Sequence, residues 1–379
     1  NVESLYYSKQ EFDKHEIREE RLFKNISSKL EKISSLSNGW NKIFQGINLN
    51  EIRSRADLEK IPITRKSDLT FIQSADLPYG GLTIKKPSDF PYMFASPGPI
   101  YEPGEEKDFW NLCSSLYSAG LRKKDLVYNT FSYHLGPAGI MFANAAIHMG
   151  AYIISGGVGN TDAQLKTIQD LKPNFYIGTP SFLKILLEKA KEKKISIASI
   201  SKAIVGAEPL PMSLRVYLKD MGVDVMQMYG TAEVGCIAYE SKEKDIDKLN
   251  EGMVVEESII LEIVRPGTNL NVKDGEVGEV VITKLTNNYP MIRLATGDLS
   301  AIIKEPSPCG RTNFRIKGWM GRAEQSTKFK GIFITPKQVN DILSKFKEIL
   351  KVRLVLTYEN YLDKGILICE VDKENSLIK

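Results

Sequence analysis

The chain has 379 residues, 42% of them hydrophobic and 26% charged, the profile of an ordinary globular protein with two or three domains. Its 51 Lys and Arg nearly balance 47 Asp and Glu, leaving a net charge of +4 that is dispersed along the sequence. That pattern excludes the basic footprint of a nucleic-acid binder and does not repel anionic ligands.

Residues 1–70 read as helical and charged, with an amphipathic stretch over 9–32 and a linker at 58–68 leading into a capped helix. The stretch 126–161 has no Asp, Glu, Lys or Arg, the one segment that raises a membrane span. It also carries Asn129, His134, Pro137 and Asn144, which fit a buried strand–helix–strand better, so no membrane partner is expected.

From about 125 the pattern becomes regular. Strand-like runs at 127–131, 151–154, 174–177, 202–205 and 223–228 alternate with helical stretches at 138–148, 162–171, 181–194 and 212–221. This alternation predicts βαβ units and a parallel sheet, whose ligands sit beyond the carboxyl ends of the strands. Four glycine-bearing polar turns fall there: Ser155-Gly-Gly157, Gly178-Thr-Pro180, Gly206-Ala-Glu-Pro209 and Tyr229-Gly-Thr-Ala-Glu233.

Short strands at 258–264, 279–284, 291–294 and 299–303 predict a small antiparallel subdomain. After Gly321-Arg322 a compact α/β unit follows, with a helix at 336–346. The expected fold is α/β: a large N-terminal domain, 1–320, with a parallel βαβ sheet and a small β subdomain. A small C-terminal α/β domain, 321–379, is expected to be incomplete. The cysteines Cys113, Cys236, Cys309 and Cys369 are widely spaced, and only three histidines exist. Reduced thiols and a cytoplasmic setting follow, with no thiolate or imidazole metal centre.

The chemistry concentrates at Tyr229, Thr231 and Glu233. An aromatic face can stack on a purine, a hydroxyl can bond a phosphate oxygen, and a carboxylate suits Mg²⁺, which prefers oxygen ligands. The alternative for Glu233 is a helix cap. Asp298, in Thr296-Gly-Asp298, can accept from ribose hydroxyls or be an ordinary turn aspartate. Arg322 can reach ribose or phosphate, or form an interdomain salt bridge.

Gly178-Thr-Pro-Ser181, Gly206-Ala-Glu-Pro209, Tyr229-Gly-Thr-Ala-Glu233, Thr296-Gly-Asp298 and Gly321-Arg322 occur in the order found in adenylate-forming enzymes, which the chain resembles from about residue 50 onward. Ser155-Gly-Gly157, Asn160-Thr-Asp-Ala-Gln164 and Cys309-Gly-Arg311 are similar to the phenylacetate–CoA ligase branch. The resemblance implies an acid–thiol ligase: ATP and a small aromatic or related carboxylic acid form an acyl-adenylate, and CoA then takes the acyl group.

By that resemblance, Gly206, Ala207, Glu208, Pro209 and Tyr229 sandwich the adenine, Gly230, Ser96 and Gly98 belong to the nucleotide site, and Thr231 contacts the α-phosphate. Glu233 holds Mg²⁺, while Asp298 binds the ribose and Arg322 contacts ribose or phosphate. Glu324 and Gln325 form a hinge. Phe131, Tyr133, His134 and Phe142 lie in the region of an acyl pocket, with core packing as the alternative for each. A homodimer is compatible with these features.

Two departures stand out. The family's phosphate-wrapping loop is rich in Ser, Thr and Gly and carries a lysine. Here Ala95-Ser-Pro-Gly-Pro-Ile-Tyr-Glu-Pro-Gly104 keeps Ser96 and Gly98 but has Pro97, Pro99, Pro103 and Glu102 instead. The family's adenylation lysine, near the end of its small domain, has no counterpart before Lys379. The altered loop at 95–104 favours the alternative function, a catalytically impaired paralogue that binds nucleotide or acyl-adenylate without turnover.

Overall fold

The computed structural model describes residues 6–243, 248–323, 327–329, 332–334, 336–359 and 362–371. Its centre is a nine-stranded sheet. The strands Tyr152–Ser155, Leu126–Asn129, Phe175–Gly178, Lys202–Val205 and Asp224–Thr231 lie side by side in that order and are parallel. The helices Ala138–His148, Thr161–Leu171, Pro180–Glu192 and Met212–Asp220 connect them. The uncharged stretch 126–161 is thus part of the α/β core. Among the described residues no helix is long and apolar enough to cross a membrane.

Alternation along the parallel strands builds two cores. Tyr128, Tyr176, Ala203, Val205 and Val225 pack beneath three of the helices. Val127, Phe175, Ile177, Ile204 and Met226 face the opposite layer, with Trp110, Leu116 and Phe142. Burial on both faces is why these strands read as continuous apolar runs.

The sheet is mixed. Gly235–Tyr239, Met253–Val255, Arg315–Ile316 and Ile302–Ile303 extend it in antiparallel fashion beyond Asp224–Thr231. The return from Thr231 to Gly235 is tight because Gly235 has φ +86°, and a Cβ there would lie 2.0 Å from the Trp110 carbonyl oxygen. Tyr229, Gly230 and Thr231 therefore belong to the end of a strand, and only Ala232 to Val234 form the turn.

A second, four-stranded sheet comprises Thr64–Arg65, Met291–Ser300, Gly278–Lys284 and Ile260–Val264. The two runs expected at 291–294 and 299–303 are mainly one long strand, Met291–Ser300. Its register against Gly278–Lys284 shifts so that Ala295 pairs with Val281 and Leu299 with Glu279. Thr296, Gly297 and Asp298 form this bulge rather than a connecting turn, a device that re-aims side chains.

The N-terminal helical stretch is interrupted. A 3₁₀ turn Lys9–Phe12 precedes the helices His15–Phe23 and Ile26–Leu36, and Asn25 between them is left-handed at φ 56°. Buried ion pairs Arg18–Glu257 and Arg311–Glu11 fasten this segment to the rest of the chain. The C-terminal part consists of the hairpin Thr327–Phe329 and Ile332–Ile334, the helix Pro336–Lys345 and the hairpin Ile349–Glu359 and Leu362–Val371. Glu324 and Gln325, expected as a hinge, lie outside the described residues.

Candidate functional site

At the carboxyl edge of the parallel strands lies a cavity of about 310 Å³, lined by Ala207, Glu208, Pro209, Gln227, Met228, Tyr229, Gly230, Met253, Asp298, Trp319 and Arg322. Gly206 sits just behind it, with Met228 packed against its Cα. Ala207 takes a left-handed conformation at φ 68°, a strain of roughly 1–2 kcal/mol for a non-glycine residue that marks functional segments. Glu208 accepts from the backbone N–H of Ser181 at 2.9 Å and also from its hydroxyl, joining two neighbouring loops at the start of helix Pro180–Glu192.

Asp298 is the hub of the polar wall. Its Oδ2 accepts from the Tyr229 hydroxyl at 2.9 Å. Its Oδ1 accepts from Arg322 Nη1 at 2.9 Å and Trp319 Nε1 at 3.1 Å. The Tyr229 hydroxyl also donates to Thr296 Oγ1 at 3.2 Å. Burial, and then the negative charge of Asp298, push the Tyr229 phenol well above its ordinary value, so it remains a donor. Gly297 makes room for Arg322: a Cβ there would meet Arg322 Nη2 at 2.6 Å.

A second cavity of about 260 Å³ adjoins the first. Ala207, Met228 and Gly230 line both. Its walls are mostly apolar, with Met141, Pro137 and the stacked rings of Phe131 and Phe142, whose centroids are 5.0 Å apart. Ser96 and Thr231 bring hydroxyls to its rim, and Thr231 Oγ1 is buried with no hydrogen-bond partner among the described residues.

Tyr133 and His134 do not line this cavity. The Tyr133 hydroxyl accepts from Asn129 Nδ2, and His134 is exposed with its N–H on Ser132 Oγ. Asn129 instead shapes the loop, since its side chain also holds the Gly139 carbonyl and the Phe131 N–H.

Glu233 caps no helix, because a strand follows its turn. Its side chain is fully buried, with Lys66 Nζ 2.9 Å from Oε1 as an ion pair. Neither carboxylate oxygen receives a directed hydrogen bond among the described residues. Lys66 begins the helix Lys66–Ala75, so its ammonium arrives from the N-terminal region.

The segment 95–104 is part of a β-hairpin, Tyr92–Ser96 with Ile100–Gly104. Pro97, Gly98 and Pro99 form its tip, where the two prolines supply no N–H to an anion. Glu102 points inward: it is buried, and its Oε2 accepts from Ser96 Oγ at 2.8 Å. Burial, and then the charge of Glu233, push the Glu102 carboxyl up to about 8.

Among the described residues no group of three or more His, Cys, Asp or Glu side chains converges on a metal position. A magnesium ion here would rest on one or two carboxylates plus substrate oxygens, the coordination Mg²⁺ favours. The buried carboxylate of Glu233, whose Oε1 is ion-paired with Lys66 and whose Oε2 has no hydrogen-bond partner among the described residues, would be the ligand.

Sequence reasoning passed over Lys66, Met253 and Trp319. Trp319 was within reach, since it lies between Gly318 and Gly321-Arg322. Lys66 carries no such signal, because only the fold brings residue 66 against residue 233.

Residues 109–287 match the family described as AMP-binding enzyme. The chain is 28% identical over 341 residues to a phenylacetate–coenzyme A ligase of Thermus thermophilus, covering 86% of this chain and 75% of that one. It is 27% identical over 348 residues to the phenylacetate–coenzyme A ligase of Escherichia coli, covering 88% and 77%. Among solved structures, an open conformation of 2-hydroxyisobutyryl-CoA ligase, in complex with 2-HIB-AMP and CoA, superposes with a TM-score of 0.88. It is 21% identical, with 99% of this chain and 84% of that one covered.

Proposed function

Because the chain belongs to the adenylate-forming enzymes, on their phenylacetate–coenzyme A ligase branch, we propose that it joins a small aromatic or related carboxylic acid to coenzyme A at the expense of ATP. The observation that carries this reading is the pair of adjoining cavities. One is polar and centred on Asp298, the other is apolar and walled by Phe131 and Phe142, and they share Ala207, Met228 and Gly230. An acyl-adenylate has the same division, with a nucleoside at one end and an apolar acyl group at the other.

In this mechanism the substrate carboxylate attacks the α-phosphorus of ATP and pyrophosphate leaves. The thiolate of CoA then attacks the acyl carbon and AMP leaves. Ala207 to Pro209 and Tyr229 flank the adenine, and Asp298 and Arg322 hold the ribose. The unpartnered Thr231 hydroxyl donates to an α-phosphate oxygen. Glu233 would hold Mg²⁺, which would neutralise phosphate charge. Phe131 and Phe142 orient the acid and keep water from its carboxylate, so that reacting groups meet as an effectively unimolecular pair. Residues 1–320 act as the large domain and 321–379 as the small one.

A second reading, nucleotide or acyl-adenylate binding without turnover, is favoured by the hairpin 92–104, which brings Glu102 and prolines where a cation would be useful. ATP–pyrophosphate exchange across a panel of carboxylic acids, followed by thioester detection with CoA, separates the two. Acid-dependent exchange supports the ligase. Nucleotide binding by calorimetry without exchange by any acid supports the binder and overturns the ligase.

A further inference from the structure

The hairpin of Tyr92–Ser96 and Ile100–Gly104 stands where a phosphate-wrapping loop is expected, yet its tip reaches the other half of the site. Ser96 and Pro97 line the apolar cavity of about 260 Å³, and no residue of 95–104 lines the polar cavity around Asp298. Ser96 is buried and Pro97 is exposed, so Pro97 forms part of the cavity mouth.

Both strands of the hairpin are pinned. The Ala95 N–H donates to the Leu135 carbonyl at 2.9 Å, which ties the first strand to the loop carrying Ser132, Gly136 and Pro137 of the same cavity. The second strand is tied to the helix Lys66–Ala75. The Tyr101 N–H donates to Gln73 Oε1, and Gln73 Nε2 donates to the Tyr101 carbonyl, both at 2.8 Å. At the open end Phe94 meets Trp110 with ring centroids 6.0 Å apart. Gly104 makes room for both rings, since a Cβ there would lie 2.6 Å from Phe94 and 2.7 Å from Trp110.

A phosphate cradle needs free backbone N–H groups or a cation. This tip has Pro97 and Pro99, and 92–104 contains no Lys or Arg. An apolar pocket needs the opposite, a stiff wall that leaves no donor unpaired.

We propose that the hairpin tip is a fixed wall of the acyl pocket and that Pro97 is a specificity-determining residue, limiting the bulk of the acid at the mouth. The inference rests on the reading of this cavity as the acyl pocket and names the class it admits: a compact acyl group with no second charge. None of the residues lining the cavity is charged, so a second carboxylate or an ammonium on the acid would be buried without a partner. An apolar cavity of about 150 Å³ takes benzene. The cavity here, about 260 Å³, leaves room for one ring and a short arm to the carboxylate.

The test compares ATP–pyrophosphate exchange by the wild type, Pro97→Gly and Pro97→Val, with phenylacetate, 2-naphthylacetate and 4-carboxyphenylacetate. Removing a wall contact of this size changes discrimination by about tenfold. Pro97→Gly should therefore raise kcat/KM for 2-naphthylacetate relative to phenylacetate, leaving KM for ATP unchanged, because the change touches the acid alone. Pro97→Val restores apolar bulk and should return the ratio toward that of the wild type. 4-Carboxyphenylacetate should support no exchange, and thermal unfolding checks that each variant folds. An unshifted acid ratio in Pro97→Gly, or a raised KM for ATP in its place, overturns the inference and leaves the ligase reading standing. Exchange with 4-carboxyphenylacetate as fast as with phenylacetate overturns the class of acid. No exchange by the wild type with any acid removes the ligase reading, and this inference with it.

Discussion

The Tyr229 hydroxyl donates to Asp298 Oδ2 at 2.9 Å, bridging the last parallel strand of the central sheet and the bulge of the second sheet. The bond links residues 69 positions apart and fixes one carboxylate oxygen, while Arg322 and Trp319 fix the other. Three of roughly four lone-pair positions on the carboxylate are thus taken. Asp298→Asn keeps the shape but removes the charge that attracts Arg322 and the ribose hydroxyls. It should weaken AMP binding by about 1.5–3 kcal/mol for each charge-assisted bond lost, which calorimetry reads directly. Unchanged affinity, or equal wild-type affinity for ATP and its 2′,3′-dideoxy analogue, would remove Asp298 from ribose recognition.

Ribose binding must also displace one of the existing partners of Asp298. Trp319, 40% exposed, is the partner whose movement can be read, because Trp40 and Trp110 are buried at 0% and 1%. Losing the Nε1–H bond changes the polarity around this indole alone. AMP should therefore alter the tryptophan emission of the wild type, and Trp319→Phe should abolish the change while nucleotide still binds. A response of the same size in Trp319→Phe would place the moving partner elsewhere.

The parallel strands and their crossover helices were legible because short apolar runs such as 174–177 and 202–205 alternate with amphipathic stretches, a local property of the sequence. The bulge at Thr296 to Asp298 was not, since Gly297 reads equally as a turn and only pairing with Gly278–Lys284 decides. Phe131 and Phe142 share a cavity and Tyr133 does not, a distinction set by the buried Asn129, which turns Tyr133 onto itself. Glu102 reads as a repulsive charge in a stiff loop. Its inward direction follows from the hairpin register, in which it pairs with Phe94. Lys66 became visible only through its ion pair with Glu233, which lies far from it along the sequence.

Glu233→Gln should leave the protein folded and reduce ATP–pyrophosphate exchange steeply, because a metal contact on a reacting phosphate contributes several kcal/mol to the transition state. The substitution removes the partner of Lys66, which is partly exposed and can turn to solvent, so the fold should tolerate it. A rate equal to that of the wild type would exclude Glu233 from adenylation.

The last prediction concerns what holds Glu233 in place. Lys284 is buried and donates to the carbonyls of Val234 at 3.0 Å and Phe109 at 2.9 Å, pinning the residue next to Glu233. Burial depresses Lys284 to about 8, although Glu256 partly offsets this, and burial raises Glu256 to about 7. Lys284→Met leaves two buried carbonyls unpaired and Glu256 without its nearby cation, and should cost on the order of 3–5 kcal/mol in urea unfolding. Lys284→Met with Glu256→Gln should recover part of that loss. The pH dependence has a definite sign. As pH rises from the unfolded carboxyl value near 4.5 to about 7, the native state keeps the Glu256 proton that the unfolded chain has lost, so stability falls. Between about 8 and the unfolded lysine value of 10.5 the native state gives up the Lys284 proton first, so stability rises. The pair therefore contributes a trough in stability near pH 7–8, which the double variant should flatten. An identical pH profile for wild type and double variant would show that the two groups do not titrate as a buried pair.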